Sequence, residues 1–288
     1  MQNQTSLIYK LTIIIIYCVL FTPNCRKPSS SKRDFLDAVR FKEYDRVQDL
    51  IDLGEDVNQS DYRSGETALL LAIAKRDFDM VEILLKAKAD PNKKSIFHGP
   101  IHLASDFCSP EILRILINAK ADINAQNAFD YYTPLEISLL NGNLKCTEIL
   151  INSGAKIEGL SVSHIFSEIA EKGRTEILNY ILDVLDIQIY QHEANLALLR
   201  SVRSGNINTV QYLLKKNLKL NTNFFDDDGD ALIHIATKYN RTSILNLLLT
   251  AGADPNLKNK KGETPIRIAL KQKNLSLAEI LKNSGATN

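Results

Sequence analysis

The chain has 288 residues, 44% hydrophobic and 24% charged, the balance of a folded body long enough for one large or two ordinary domains. Its 35 Lys and Arg stand against 34 Asp and Glu, so it lacks the positive surplus that a general nucleic-acid binder needs to neutralise phosphates. It has 4 cysteines and no CxxC pair, which excludes a zinc-built or disulfide-built miniature fold and leaves apolar packing to hold the chain together.

In chain order, the first feature is the apolar run Leu11-Thr-Ile-Ile-Ile-Ile-Tyr-Cys-Val-Leu-Phe21 behind Lys10. A membrane-spanning helix needs about 20 such residues, so this shorter run reads as the hydrophobic part of a secretory signal peptide. Phe21-Thr-Pro-Asn-Cys25 and Arg26-Lys-Pro-Ser-Ser-Ser31 follow. A cysteine directly after such a run, followed by a Ser-rich stretch, resembles the leader of a bacterial lipoprotein. The resemblance implies that residues 1–24 are a signal peptide, that Cys25 carries the lipid, and that 25–32 form a flexible tether. It also implies a membrane-anchored lipoprotein of the bacterial cell envelope, periplasmic or outer-surface. Thr22, Pro23 and Asn24 depart from the Leu and small residues that usually precede the lipidated cysteine. The other readings are a cleaved leader without lipid, an uncleaved membrane helix reaching back to Leu7, and a buried helix of the fold.

Beyond the leader the sequence repeats itself. Leu84-Leu-Lys-Ala-Lys-Ala-Asp-Pro-Asn92, Leu116-Ile-Asn-Ala-Lys-Ala-Asp-Ile-Asn124 and Leu248-Leu-Thr-Ala-Gly-Ala-Asp-Pro-Asn256 are three copies of one phrase. A second phrase lies upstream of each: Thr67-Ala-Leu-Leu-Leu-Ala72, Gly99-Pro-Ile-His-Leu-Ala104 and Ala231-Leu-Ile-His-Ile-Ala236. Thr133-Pro-Leu-Glu-Ile-Ser138 and Thr264-Pro-Ile-Arg-Ile-Ala269 are further copies. Counted from the Thr position, units start at Arg33, Thr67, Gly99, Thr133, His164, Leu196, Ala231 and Thr264. Within a unit, Thr is a helix cap, Pro suits the first helical turn, and a closing Gly accepts the left-handed backbone that stops a helix.

These phrases resemble the ankyrin repeat, whose period is about 33 residues. The resemblance runs from about Arg33 to Asn288. It implies an all-α solenoid of about eight helix-turn-helix units with β-hairpin fingers between them. It further implies a local bond for His102 and His234 that ties neighbouring units, and terminal units with a wet outer side. The unit at His164 departs most, with His-Ile-Phe-Ser-Glu-Ile in place of the first phrase and Leu185-Asp-Ile in place of the second. It is expected to be a real repeat that bends the solenoid or divides it into two stacks.

No catalytic pattern emerges. The 5 histidines have no metal spacing to one another, and no nucleophile elbow or phosphate loop is present. Asp226-Asp-Asp-Gly-Asp230 lacks the closing Glu of a calcium loop. Cys108 stands where the loop Gly is usual and Cys146 opens a second helix, so each reads as a packing or surface residue rather than half of a redox pair. The expectation is a non-catalytic protein-protein interaction scaffold, without cofactor, metal or nucleic acid, that binds a protein partner. A membrane-anchored or intracellular structural adaptor is the alternative.

In the ankyrin family partners lie on the concave side, against finger tips and first helices. Carried over position by position, this face includes Phe97, Phe107, Phe129, Tyr131, Tyr132, Phe224, Phe225 and Tyr239. Exposed aromatics in the middle of a surface are typical binding hot spots. The alternative for these rings is packing between fingers that stiffens the solenoid.

Overall fold

The computed structural model describes residues 31–128, 131–156, 162–216 and 218–287. The leader, Cys25, Phe129 and Asp130 lie outside the described residues. The described chain forms eight consecutive helix pairs. Unit 1 is α1 (Ser31–Arg40) and α2 (Tyr44–Asp52), unit 2 is α3 (Ala68–Ala74) and α4 (Phe78–Lys86), and unit 3 is α5 (Pro100–Asp106) and α6 (Pro110–Asn118). Unit 4 is α7 (Pro134–Asn141) and α8 (Leu144–Asn152), unit 5 is α9 (Val162–Glu171) and α10 (Thr175–Asn179), and unit 6 is α11 (Gln191–Ser204) and α12 (Ile207–Lys215). Unit 7 is α13 (Leu232–Lys238) and α14 (Thr242–Thr250), and unit 8 is α15 (Pro265–Lys271) and α16 (Leu275–Asn283). The architecture is an all-α ankyrin-repeat solenoid.

Local chemistry starts and stops each pair. Thr133 Oγ1 accepts from the Glu136 amide while Glu136 Oε2 accepts from the Thr133 amide at 2.7 Å, a reciprocal cap on α7. Thr67 caps α3 one way only, its Oγ1 accepting from the Leu70 amide at 3.3 Å. Thr264 is buried, and its hydroxyl makes no cap bond. The turn between first and second helix always contains one left-handed residue: Lys42, Arg76, Cys108, Gly142, Gly173, Gly205, Asn240 or Lys273. Units 4, 5 and 6 use glycine here, where a side chain of the next unit (Arg174, Asn206 or Arg241) lies over the turn. At Gly205 (φ 83) an added Cβ would meet the Arg241 guanidinium carbon at 2.5 Å.

Stacking buries what a single pair cannot. Phe35, Met80, Leu113, Leu150, Phe166, Leu198, Leu248 and Leu281 belong to one continuous core running through all eight units. That core includes unit 5, where Phe166, Ile169, Leu178 and Ile181 are all buried. α9 and α11 form the most extensive helix contact of the molecule. The unit with the weakest sequence signature therefore does not divide the stack.

The fingers are turns rather than ribbons. Among the described residues they hold only two isolated antiparallel bridges, Ser60 with Thr67 and Phe225 with Ala231. A finger closes on itself through pairs such as Asp61 N–H to Glu66 O at 2.9 Å and Asp226 N–H to Asp230 O at 2.9 Å. It reaches its neighbour through Ile96 N–H to Ser64 O at 3.2 Å, or Lys260 N–H to Gly229 O at 3.1 Å.

The Asn that ends the second sequence phrase is a clamp between units. Asn92 Nδ2 donates to Lys120 O at 3.1 Å, and its Oδ1 accepts from the Asp122 amide at 2.7 Å. Asn58 treats Lys88 O and the Asp90 amide alike, and Asn256 does the same for Gly285 O and the Thr287 amide. Asn92→Ala leaves a backbone carbonyl and an amide without these partners. A loss of about 1–3 kcal/mol in unfolding free energy is expected, read from urea titrations of both proteins.

Unit 6 solves the same problem differently. Its first helix begins at Gln191, five residues before the expected start at Leu196, because Glu193 Oε2 accepts from the Tyr190 amide at 2.7 Å and caps it there. The two jobs of the clamp Asn are divided within this helical extension. Gln191 Nε2 donates to Lys219 O at 2.5 Å, and Asn195 Oδ1 accepts from the Asn221 amide at 2.8 Å. Ahead of it, α10 runs into a π-helical turn, Tyr180–Val184. A cleft of about 530 Å³ lies beside this turn, lined by Leu182, Ile187, Tyr190 and Lys216 among others.

Candidate functional site

The face to consider is built from finger tips and first helices. Its rings have two different roles. Tyr131 is 67% exposed at the tip of the unit 4 finger, in a left-handed conformation with φ 58. Tyr239, at the end of α13, and Phe225, on the unit 7 finger, are also exposed.

The other expected rings are half-buried and help to build the frame. Phe107 lies beneath the Arg76 guanidinium, 5.5 Å from the ring centre, while Arg76 also donates to Phe107 O at 2.9 Å. Tyr132 packs against the core, and its hydroxyl reaches Glu168 Oε2 at 3.3 Å. Phe224 packs against the core and meets the His192 ring edge-on at 6.4 Å. Phe97 sits beside the His98 ring, also at 6.4 Å.

Two exposed apolar residues extend the row of tips. Tyr62 is 79% exposed on the unit 2 finger, with its hydroxyl 2.7 Å from Arg63 Nε, and Ile96 is 53% exposed on the unit 3 finger. Tyr62, Ile96 and Tyr131 thus cap three consecutive fingers, and Phe225 belongs to a finger further along the stack. Tyr62 was missed in the sequence although it stands just before Thr67, where finger residues are to be sought.

Ion pairs lie along the first helices: Arg40–Asp37 at 2.6 Å in unit 1, and from unit 5 onward Lys172–Glu168 at 2.7 Å, Arg200–Glu171 at 3.2 Å, Arg203–Asp226 at 2.7 Å, then Lys238–Asp230 and Lys271–Glu263. Of the Asp226–Asp230 run, Asp226 and Asp230 are held internally, while Asp227 and Asp228 are exposed. Asp226 Oδ1 accepts from the Asp230 amide at 2.8 Å, and Asp230 Oδ1 accepts from Asn259 Nδ2 at 2.8 Å. Among the described residues no group of three or more His, Cys, Asp or Glu is placed to hold a metal.

The two repeat histidines tie units together. His234 Nδ1 accepts from the Ala231 amide at 3.1 Å, and Nε2 lies 3.1 and 3.0 Å from Leu257 O and Glu263 O of the next unit. His102 Nε2 lies 2.8 Å from Ala125 O. The His234 contacts require a neutral ring with its proton on Nε2, and the His102 contact places a proton on Nε2 while its Nδ1 has no partner. Burial disfavours the charged form and pushes His102 down to about 4; His234 is lowered by the same cause.

The cysteines correct the sequence reading. Cys108 and Cys146 are not independent packing residues but form a disulfide, with Cα atoms 5.8 Å apart. Cys108 occupies the left-handed turn of unit 3, and Cys146 the third residue of α8 in unit 4. At the place of Cys146 units 2, 3, 5, 7 and 8 put Met80, Ile112, Ile177, Ile244 and Leu277, all buried. The bond therefore links a turn to the core of the next unit.

The family model for ankyrin repeats, in tandem copies, matches residues 35–127 and 166–259. The chain belongs to the ankyrin-repeat family. It is 26% identical over 223 residues to Ankyrin repeat and KH domain-containing protein mask-1 of Caenorhabditis elegans, a stretch that is 76% of this chain and 8% of that protein. It is 24% identical over 258 residues to human SH3 and multiple ankyrin repeat domains protein 2, covering 88% of this chain and 12% of that protein. The chain thus spans only a small part of the length of these relatives. Among solved structures it resembles the human ASB11 ankyrin repeat domain, with a TM-score of 0.64 and 20% identity, over 77% of this chain and 100% of that one. That likeness is one of fold.

Proposed function

We propose that this protein is an exported, membrane-tethered scaffold without catalytic activity, which holds a partner protein against its finger and first-helix face. The observation that carries the binding reading is the row Tyr62, Ile96 and Tyr131, large apolar side chains left exposed on successive fingers. Exposed apolar clusters rimmed by polar groups mark interaction sites, and aromatic residues dominate their energetics. The exposed charges of the unit 7 and unit 8 fingers, Asp227, Asp228, Lys260 and Lys261, orient the partner and speed its arrival.

The export reading rests on the leader and on the disulfide. Disulfides persist in oxidising compartments and are rare in the cytosol, so Cys108–Cys146 favours export over an intracellular adaptor. Cys25 is the residue assigned to lipidation. Labelled palmitate is expected to enter the full chain and to be absent from Cys25→Ala.

The binding test is a cross-linked capture from membranes with the full chain and with a Tyr62→Ser, Ile96→Ser, Tyr131→Ser variant. All three side chains are exposed, so the melting temperature should not move. A protein captured by the native chain and lost with the variant supports the site. Capture of the same protein by both places the site elsewhere on the solenoid.

A further inference from the structure

We propose that the inter-unit disulfide is a thiol–disulfide exchange site with a fixed polarity: Cys108 is the sulfur that exchanges, Cys146 is the buried resolving thiol, and the partner is a dithiol oxidoreductase. The inference rests on the export reading for its biological setting.

Its basis is the asymmetry of the two positions. Cys108 lies in a turn, half-buried, on the rim of unit 3, with φ 41. Cys146 is 0% exposed, in the core of unit 4 between Leu144 and Ile149. An external disulfide can reach the first in the folded stack and the second only when the stack opens. Exchange requires in-line access of a thiolate to sulfur, so accessibility sets which sulfur is attacked. Once units 3 and 4 pack, the fold itself presents Cys146 to Cys108, since their Cα atoms stand 5.8 Å apart. Asn141 Nδ2 bonded to Asp106 Oδ1 at 2.7 Å and Asn143 reaching Ser105 O at 3.5 Å hold the same two turns together without the sulfurs.

The steps balance. The Cys108 thiolate attacks one sulfur of the oxidoreductase disulfide; that bond breaks, a mixed disulfide forms, and one thiolate leaves on the enzyme. The Cys146 thiolate then attacks Cys108 Sγ, the Cys108–Cys146 bond forms, and the enzyme's second thiolate departs. Two thiols of this chain are oxidised, and their two electrons and two protons pass to the enzyme disulfide, which is reduced to a dithiol. Reduction of the staple is the reverse and enters at Cys108.

Oxidised glutathione serves as the probe on full-length protein, reduced beforehand and held folded, with adducts assigned by peptide mass. Cys146→Ala is expected to collect a stable mixed disulfide at Cys108. Cys108→Ser is expected to react at Cys146 on the order of 100-fold more slowly, because a buried thiol reacts only through local opening. Cys146→Val, matching the apolar residues other units place there, repeats the measurement should the alanine variant be loosened. Equal rates at the two sulfurs, or no adduct at Cys108 in either Cys146 variant, overturn the proposal, as does recovery of both body cysteines as free thiols from non-reduced native protein. The export reading is judged separately, by protease accessibility of the protein on intact cells.

Discussion

Reducing the Cys108–Cys146 bond is expected to lower the unfolding free energy by about 4 kcal/mol, the loop-closure value for a 38-residue separation. In the unfolded chain the crosslink removes conformations that reduction restores. In the folded chain the two turns stay in contact through Asn141 and Asn143. The effect therefore falls mainly on the unfolded state. Urea titration with and without dithiothreitol reads it directly, and a Cys108→Ser, Cys146→Ala variant should be blind to the reductant. A native midpoint that does not move with reductant would show that the bond contributes nothing. Because each unit contacts only its neighbours, units 3 and 4 should be the last to open in the oxidised protein.

A second large effect comes from acid. The folded value of His102, about 4, lies below the ordinary 6.5 because burial disfavours its charged form. Between these values the unfolded state binds a proton that the folded state refuses, so stability rises with pH in that window. The contribution is fully present above pH 6.5 and is lost as pH falls toward 4. In full it amounts to about 3 kcal/mol for a shift of this size. Lys94 and His98 oppose protonation of the ring, and Asp122 only partly offsets them. His102→Gln keeps a donor near Ala125 O but does not titrate. Its loss of stability between pH 7.5 and pH 4.5 should be smaller than that of the native protein by most of this amount. Parallel losses in the two proteins would mean that the buried ring takes no part in acid unfolding.

The repeat was legible because its signals are local. Thr133 followed by Pro134 and Glu136, or Asp90 followed by Asn92, place cap, turn and clamp within a few residues, and each forms the contact its chemistry suggests. His234 was legible for the same reason, its Nδ1 accepting from the Ala231 amide, whereas His102 reaches Ala125 O of the next finger but makes no local bond through Nδ1. What escaped is what joins one unit to the next without a local mark. Cys108 and Cys146 meet because the turn of one unit lies over the third residue of the next unit's second helix, a relation that appears only when units are stacked. The early start of α11 escaped because the first phrase fixes phase at Leu196, whereas a side chain at Glu193 decides where the helix begins. Among the candidate rings, sequence position could say which ones lie on fingers. It could not separate Tyr132, turned toward the core, from Tyr131, turned outward, since adjacent residues in a tight turn face opposite ways.

The divided clamp of unit 6 changes how the chain tolerates altered length. Where one Asn grips the next loop, as at Asn92, an inserted residue between Lys88 and Asn92 would carry the side chain away from Lys120 and Asp122 and upset two junctions at once. Gln191 and Asn195 sit one helical turn apart on α11, so their spacing is set by the helix and not by the loop that delivers it. Residues added or removed between Asp186 and Tyr190 would leave both grips in place. Linkers of different length spliced here, with Ile187 and Ile189 kept against the core, are expected to leave units 1–5 and units 6–8 each in its own register.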